Sequence, residues 1–308
     1  MQIDDKSIII LLATYNGEKY IREQLNSIIN NLYSNLKLII SDDASTDATL
    51  TILREFEDKY SFISVINHED TPHGAFYNFQ NLIQFVKTKK INADYYMFSD
   101  QDDVWKEDKI QDSVSEIEKQ NDGKPVLIYT SKEYVDENLE PLGFNVPKED
   151  LFDINILHQN KTYGCTYIFN KQLLDKLDYQ APDFFINYDH YVAFQAFLYG
   201  NVYYFPEKTI LYRQHGNNVS GIVKRKLKER INFMKKYSSN IFLYKNLINY
   251  AYENKIFLEN KNKHYIEKLI LAKNNRIHLF LTSVFLNIKK NTYLGTVQFY
   301  ITLLFNRK

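Results

Sequence analysis

The sequence predicts an α/β fold: an open, mostly parallel twisted sheet flanked by helices, with a helical region after it. Three observations carry this. Apolar runs of six to eight residues alternate with segments whose apolar positions recur at helical spacing. The early runs end in small, polar or acidic residues. From about residue 222 to the end the strand-like runs stop and the pattern stays helical.

Residues 7–14 (SIIILLAT) read as a strand buried on both faces, because an apolar run without alternation has no solvent side. After Asn16-Gly17, the positions Tyr20, Ile21, Leu25, Ile28, Ile29 and Leu32 follow helical spacing. LKLIIS (36–41) is a second buried strand. Asp42-Asp43-Ala44-Ser45-Thr46-Asp47 follows, with Ser45 expected to cap a helix that buries Leu50, Leu53, Phe56 and Tyr60. FISVIN (62–67) gives a third strand, 74–87 a helix, and ADYYMFS (93–99) a fourth strand running into Asp100. Such alternation builds right-handed strand–helix–strand units, whose ligands bind outside the carboxyl ends of the strands. At those ends stand Thr14-Tyr15-Asn16, Asp42-Asp43 and Asp100-Gln101-Asp102-Asp103, so three polar clusters converge on one edge.

Beyond a helix at about 106–119, residues 126–130 read as a strand and 131–160 mostly as loop. GCTYIFN (164–170) is expected to be a strand and Tyr188–Tyr199 a helix. NVYYFP (201–206) and KTILYRQ (208–214) are expected to be two strands. The boundary falls near Gly216–Gly221, giving a sheet domain over 1–221 and a helical region over 222–308.

Charge supports that division. Residues 222–308 hold 18 Lys and Arg against 4 Glu, whereas 1–221 hold 20 basic and 34 acidic residues, so a net charge of zero conceals a basic tail. Lys224, Arg225, Lys226, Lys228 and Arg230, with Lys235 and Lys236 soon after, suit an anionic membrane surface, although a solvated lysine-rich face would read the same way. The apolar stretches at 277–288 and 293–305 are shorter than the roughly 20 residues of a spanning helix. They fit core helices, helices on a membrane surface, or a homodimer contact. No nucleic-acid reading motif accompanies the basic charge, so a nucleic-acid partner is not expected. One cysteine, Cys165, permits no intrachain disulfide and reads as a small core residue. The N-terminus has no signal-peptide pattern, so a cytoplasmic location is expected. There is no GxxxxGK[ST], no GxGxxG after the first strand, no HExxH and no GxSxG, which disfavours nucleotide triphosphatases, dinucleotide enzymes, zinc peptidases and serine hydrolases.

Candidate chemistry lies in the clusters. Asp100 and Asp102 on a tight turn can point the same way and hold Mg²⁺ or Mn²⁺, whereas Asp102 or Asp103 could instead cap the next helix. Asp43 could accept a nucleobase imide N–H, with capping the alternative; Asp42 is open between the two, and Asp47 is expected to cap. Thr14, Tyr15 and Asn16 could line a ribose or base site. Asp189, just before an apolar helix, is either a cap or a general base. His215 could bind a metal and Arg213 a phosphate, or both belong to a surface turn. His158 and His190 are expected to be structural or exposed.

Taken together, Ala13-Thr14-Tyr15-Asn16-Gly17, Asp42-Asp43-x-Ser45-x-Asp47 and Ser99-Asp100-Gln101-Asp102-Asp103-Val104-Trp105 resemble glycosyltransferase family 2 with the GT-A, Rossmann-like fold. Asp100 to Trp105 and Tyr212-Arg213-Gln214-His215-Gly216-Asn217-Asn218 resemble the bacterial rhamnosyltransferase-type members, which build capsule, O-antigen and other surface polysaccharides. The resemblance spans about residues 6–221. It implies that Thr14, Tyr15 and Asn16 line the nucleotide site, that Asp43 contacts the base, and that Asp100 and Asp102 form the DxD metal and diphosphate motif with Asp103 beside them. It also implies that Asp189 is the catalytic base and that His215, with Arg213 and Gln214, faces the diphosphate or metal. The base is often preceded by an acidic residue or a histidine; here Tyr188 stands there. The implied activity is metal-dependent inverting transfer from dTDP-rhamnose or a UDP-hexose to a lipid-linked saccharide, by a peripheral enzyme at the inner face of the plasma membrane. The alternative is a non-catalytic sugar-nucleotide or polysaccharide-binding protein on a degenerate GT-A fold.

Overall fold

The computed structural model describes residues 6–68, 72–143, 153–178, 180–185, 187–216, 241–289 and 293–305. The first half follows the predicted alternation: β1 (Ile8–Thr14), α1 (Ile21–Ile29), β2 (Leu36–Asp42), α2 (Thr49–Lys59), β3 (Ile63–Asn67), α3 (Ala75–Thr88) and β4 (Tyr95–Ser99). There follow β5 (Val104–Trp105), α4 (Lys109–Gln120), β6 (Val126–Val135), β7 (Tyr167–Asn170), α5 (Lys171–Lys176), α6 (Tyr188–Tyr199) and β8 (Asn201–Arg213). The tail contributes helix α7 over 241–253, then α8 (Asn260–Ala272), α9 (Arg276–Phe285) and α10 (Tyr293–Phe305).

The eight strands form one sheet in the order β3-β2-β1-β4-β7-β6-β8-β5. β3, β2, β1 and β4 run parallel; β7 lies antiparallel to both β4 and β6, and β5 antiparallel to β8. β1 is central and buried along its whole length, which is why it reads as an unbroken apolar run. Its alternate side chains enter two cores. Ile8, Ile10 and Leu12 pack with α1, α2 and α4 residues such as Leu25, Leu53 and Val114. Ile9, Leu11 and Ala13 pack with Leu82, Phe194 and tail residues such as Tyr244 and Leu269. Tail and sheet thus share one core. Each buried aliphatic side chain contributes about 1.5–3 kcal/mol of transfer free energy.

Several expectations need correction. Ser45 does not cap α2: its hydroxyl donates to Asp42 Oδ1 at 2.6 Å and accepts from the Asn16 N–H at 2.9 Å. Nor is Asp47 the N-cap, which is Ala48; Asp47 stands one residue earlier and accepts from the Thr49 N–H at 2.9 Å, closing the turn before the helix. The two strands expected over 201–214 are one strand, β8. Its register with β6 skips from Thr130–Phe205 to Ser131–Lys208, so Pro206 and Glu207 bulge out of the ladder, where a proline needs no donor. β6 extends to Val135 through a stretch expected to be loop. The strand expected over 164–170 begins at Tyr167, after a short 3₁₀ turn at Gly164–Thr166. The boundary near residue 221 and the basic cluster from Lys224 to Lys236 lie outside the described residues.

Candidate active site

The ends of β1, β2 and β4 bring the three predicted clusters together. At the β4 end, the Gln101 side-chain amide clamps the first turn. Its Oε1 accepts from Thr14 Oγ1 at 2.6 Å and from the Tyr15 N–H at 2.8 Å, while its Nε2 donates to the Tyr15 carbonyl at 3.1 Å. Thr14 is buried and Tyr15 exposed. Asn16 sits at φ +46, which asparagine tolerates, and its Oδ1 accepts from the Thr46 N–H at 2.8 Å, tying the first turn to the second. A Cβ on Gly17 would meet the Gln101 amide and push it out of this clamp.

At the β2 end, Asp42 serves the loop: its carboxylate accepts from Ser45 N and Oγ. Asp43 has a different role. Its Oδ1 lies 2.8 Å from His68 Nδ1 and 2.7 Å from His73 Nδ1, and its Oδ2 accepts from the Gly74 N–H at 2.7 Å. Gly74 adopts φ +119, open to glycine alone, which aims that N–H at the carboxylate. Burial opposes the charged form of Asp43, but the hydrogen bonds from His73, Gly74 and His68 outweigh it and hold the carboxyl below its usual range.

The Asp100–Asp103 turn is electrostatically the opposite. Burial, then Asp102 and Asp189, push the Asp100 carboxyl up to about 7. Burial, then Asp102 and Asp100, push Asp103 well above its ordinary value. Asp103 Oδ1 accepts from the Arg213 N–H at 3.1 Å, but its Oδ2 is buried without a hydrogen-bond partner among the described residues. Behind the turn lies Lys109, whose ammonium donates to the Cys165 carbonyl at 3.2 Å and to Thr209 Oγ1 at 3.3 Å; burial pushes it down to about 8. Cys165 is buried and its thiol pushed well up by burial, which fits a core residue and not a nucleophile.

Asp189 occupies the first turn of α6, and its Oδ1 accepts from the His190 N–H at 2.6 Å. A Cβ on Gly164 would stand 3.3 Å from Asp189 Cβ, so the Gly164 backbone lies against this side chain. Burial pushes Asp189 up to about 6, against hydrogen bonds from His190, Gly164 and Asn160. The same Cβ on Gly164 would stand 3.8 Å from the ring of Phe98 on β4, so Asp189 lies beside the strand that leads into Asp100, and its charge helps raise the Asp100 carboxyl. At the end of β8, His215 Nε2 lies 2.7 Å from Asp102 Oδ2, with the Tyr20 ring 4.9 Å from its own. Gln214 pairs in the sheet through its N–H to the Val135 carbonyl at 2.8 Å. Arg213 is buried: it donates to the carbonyls of Asp102 at 2.8 Å and Glu137 at 2.6 Å and forms an ion pair with Glu23. The guanidinium expected to pair with phosphate is thus taken up by protein acceptors, and it holds the turn. His190 Nε2 donates to the Ile156 carbonyl, 2.7 Å away, and His158 is buried against Phe299; both are structural, as expected.

The profile of Glycosyl transferase family 2 matches residues 9–176. The chain belongs to glycosyltransferase family 2. Among curated relatives, it is 34% identical over 224 residues to the dTDP-rhamnosyl transferase RfbG of Shigella flexneri, covering 68% of this chain and 73% of that one. It is 26% identical over 200 residues to the UDP-Glc:alpha-D-GlcNAc-diphosphoundecaprenol beta-1,3-glucosyltransferase WfgD of Escherichia coli, covering 65% and 72%. Among solved structures, Staphylococcus aureus TarS 1-349 in complex with UDP-GlcNAc aligns with a TM-score of 0.62 at 19% identity, covering 97% of this chain and 81% of that one. The mannosyltransferase PcManGT from Pyrobaculum calidifontis, in complex with GDP-Man and Mn²⁺, aligns at 0.53 and 15%, covering 98% and 88%. These structural likenesses establish the GT-A fold.

Within this glycosyltransferase, sequence reasoning missed the groups that hold the predicted residues in place. Gln101 stood inside the acidic run and was passed over for its neighbours. His68, His73 and Gly74 surround Asp43 from a loop without a recognised pattern, although Gly74 immediately before a helix was a readable signal. Glu23 and Tyr20, which flank Arg213, look like ordinary residues of an amphipathic helix.

Proposed function

We propose that this chain is a metal-dependent, inverting glycosyltransferase. It moves a rhamnosyl or hexosyl unit from dTDP-rhamnose or a UDP-hexose onto a lipid-linked saccharide of a growing surface polysaccharide, at the cytoplasmic face of the membrane. The observation that carries the reading is the nearness of Asp189 to the β4 end: a Cβ on Gly164 would stand 3.3 Å from Asp189 Cβ and 3.8 Å from Phe98. Shared-charge crowding there and the orphaned Asp103 Oδ2 suit a cation. The oxygen-rich set of Asp100 and Asp102, with His215 beside them, fits Mn²⁺ or Mg²⁺. When bound, such an ion neutralises a nucleoside diphosphate and makes it a better leaving group.

The acceptor hydroxyl oxygen attacks the anomeric carbon, and Asp189 takes its proton. The bond from that carbon to the diphosphate oxygen breaks, and its electron pair leaves with the nucleoside diphosphate, so the centre inverts once. A carboxyl near 6 is mostly ionised at neutral pH yet more basic than an ordinary aspartate, as a general base should be. Thr14, Tyr15 and Asn16 line the nucleotide side, Asp43 meets the base, and Arg213 and Gln214 position His215 toward the diphosphate. The RfbG and WfgD similarities support the donor classes and the lipid-diphosphate acceptor.

The test is a donor screen by nucleotide release with dTDP-rhamnose, UDP-glucose and UDP-galactose, with and without Mn²⁺ or Mg²⁺. Release with one donor, dependent on the ion and lost in Asp189→Asn while nucleotide binding persists, is the expected result. Binding without release under every condition would establish the non-catalytic alternative.

A further inference from the structure

The tail carries an apolar stripe that no part of the described molecule covers. On α9, Leu279, Ser283 and Leu286 face the core. On the opposite side Ile277, Leu281, Val284 and Phe285 stand 65%, 56%, 44% and 74% exposed. Their spacing of four, three and one residues confines them to about 100° of the helix surface. Leu271 of α8 is 79% exposed, and the Lys268 ammonium, also on α8, lies 4.7 Å from the centroid of the Phe285 ring. A contiguous apolar patch edged by cations marks a contact surface, since scattered single exposures would not fall on one stripe.

Charge decides what covers it. After Glu267 the chain has no Asp or Glu, whereas Lys268, Lys273, Arg276, Lys289, Lys290, Arg307 and Lys308 follow. A second copy of the same face would set Lys268 and Arg276, the described cations at its edge, against like charges. An anionic bilayer instead takes the apolar stripe at the boundary between headgroups and acyl chains, and its phosphates meet the lysines. No helix among the described residues is long and apolar enough to cross a membrane, so contact would be from one side.

We infer that the exposed stripe of α9, edged by Lys268 and Arg276, is the face by which this enzyme docks on an anionic lipid surface. The inference rests on the reading that the acceptor is lipid-borne, and it moves the contact from the basic cluster at 224–236 to α9. Docking there would bring the catalytic domain to its substrate by two-dimensional diffusion.

Flotation of the full chain with phosphatidylglycerol–phosphatidylcholine vesicles tests it, against pure phosphatidylcholine vesicles. The full chain is expected to float with the anionic vesicles. The triple variant Ile277→Ser, Leu281→Ser, Phe285→Ser should bind at least about tenfold more weakly with its thermal transition retained. Lys268→Glu with Arg276→Glu, which leaves the stripe intact, should weaken the anionic preference, and salt should weaken the parent. Phe285→Trp gives a readout that needs no loss of function: the native tryptophan, Trp105, is buried, so a blue shift on adding vesicles reports insertion at 285. Unchanged flotation of the triple variant, or no blue shift, overturns the inference. So does a dimer in solution that the triple variant dissociates, since the stripe would then join two copies. Donor-dependent nucleotide release, measured without vesicles, reports the glycosyltransferase reading separately, and it should be the same in all of these variants.

Discussion

Two parallel strands in this molecule, β2 and β4, run into an aspartate at the same edge of the sheet, and the two ends are built in opposite ways. Asp43 at the β2 end has three protein donors around it, and its carboxyl is held below its usual range. Asp100 at the β4 end is crowded by Asp102 and Asp189, and its carboxyl is pushed up to about 7. The first site is complete in protein alone and suits a neutral hydrogen-bonding ligand such as a base. The second carries excess negative charge among the described residues, which suits the cation proposed for it. Local sequence would class both as acidic turns after a strand; only the partners separate them.

The largest effect should come from breaking the second site. Removing divalent ions with a chelator, or replacing Asp100 or Asp102 with Asn, should lower transfer by about 10²–10⁴-fold. Re-addition of Mn²⁺ should restore the parent and not the variants. Equal activity with and without chelator would show that the β4 end needs no cation, and the contrast with Asp43 would fall.

The base sharpens the comparison next, because Asp189 lies near Asp100 but is stabilised by hydrogen bonds that Asp100 lacks. On the role proposed for Asp189, transfer needs the ionised form, and burial pushes this carboxyl up to about 6. As pH falls through 6 the base gains its proton, so kcat/KM should fall about tenfold per pH unit below that point and level off above it. Asp189→Asn should remove this limb altogether. A limb that persists in the variant belongs to another group.

The smaller expected effects lie at the completed site. His73 is half-exposed at the mouth of the Asp43 pocket, whereas His68 is buried. His73→Ala should raise KM for the donor about five- to tenfold with little change in kcat or in ion dependence, since it removes one donor to a carboxylate that keeps two. A loss of ion dependence instead would couple the two ends directly.

How far the sequence revealed this arrangement follows the same division. β1, β2 and β4 were legible because strands buried on both faces read as apolar runs, and their ends placed Thr14, Asp43 and Asp100 on one edge. α6 was legible to the residue, since Tyr188–Tyr199 is a mostly apolar stretch that ends at Gly200. The β8 bulge was not: Pro206 breaks a local pattern, and only pairing with β6 shows the strand continuing past it. Nor was the role of Arg213, because an exposed cation and a buried strut share one side chain. Its partners Glu23, Asp102 and Glu137 are dispersed over more than a hundred residues of sequence. Contacts between distant turns leave no local pattern, and the Gln101 clamp and the Asp43 histidines are of that kind.

The smallest predicted effect separates the two aspartates by stability alone. In the metal-free protein the folded-state value of Asp100 lies above its unfolded value of about 4. Stability linked to this group is therefore greatest below pH 4 and is lost as pH rises through about 7, where the folded state must carry an unfavourable charge. Asp100→Asn removes that charge. It should raise Tm in chelator by about 2–4 °C at pH 8, and by less at pH 5, even as it abolishes transfer. Asp43 has the opposite sign: its depressed value contributes stability that is present above pH 4 and lost in acid. Asp43→Asn removes the charge and sets an NH2 donor in place of one acceptor oxygen, so either the two histidines or the Gly74 N–H lose their acceptor, and Tm should fall at pH 8. Melting curves of both variants at the two pH values test the contrast without any substrate. A Tm that falls equally in both would mean that the Asp100 turn is already neutralised by its own protein.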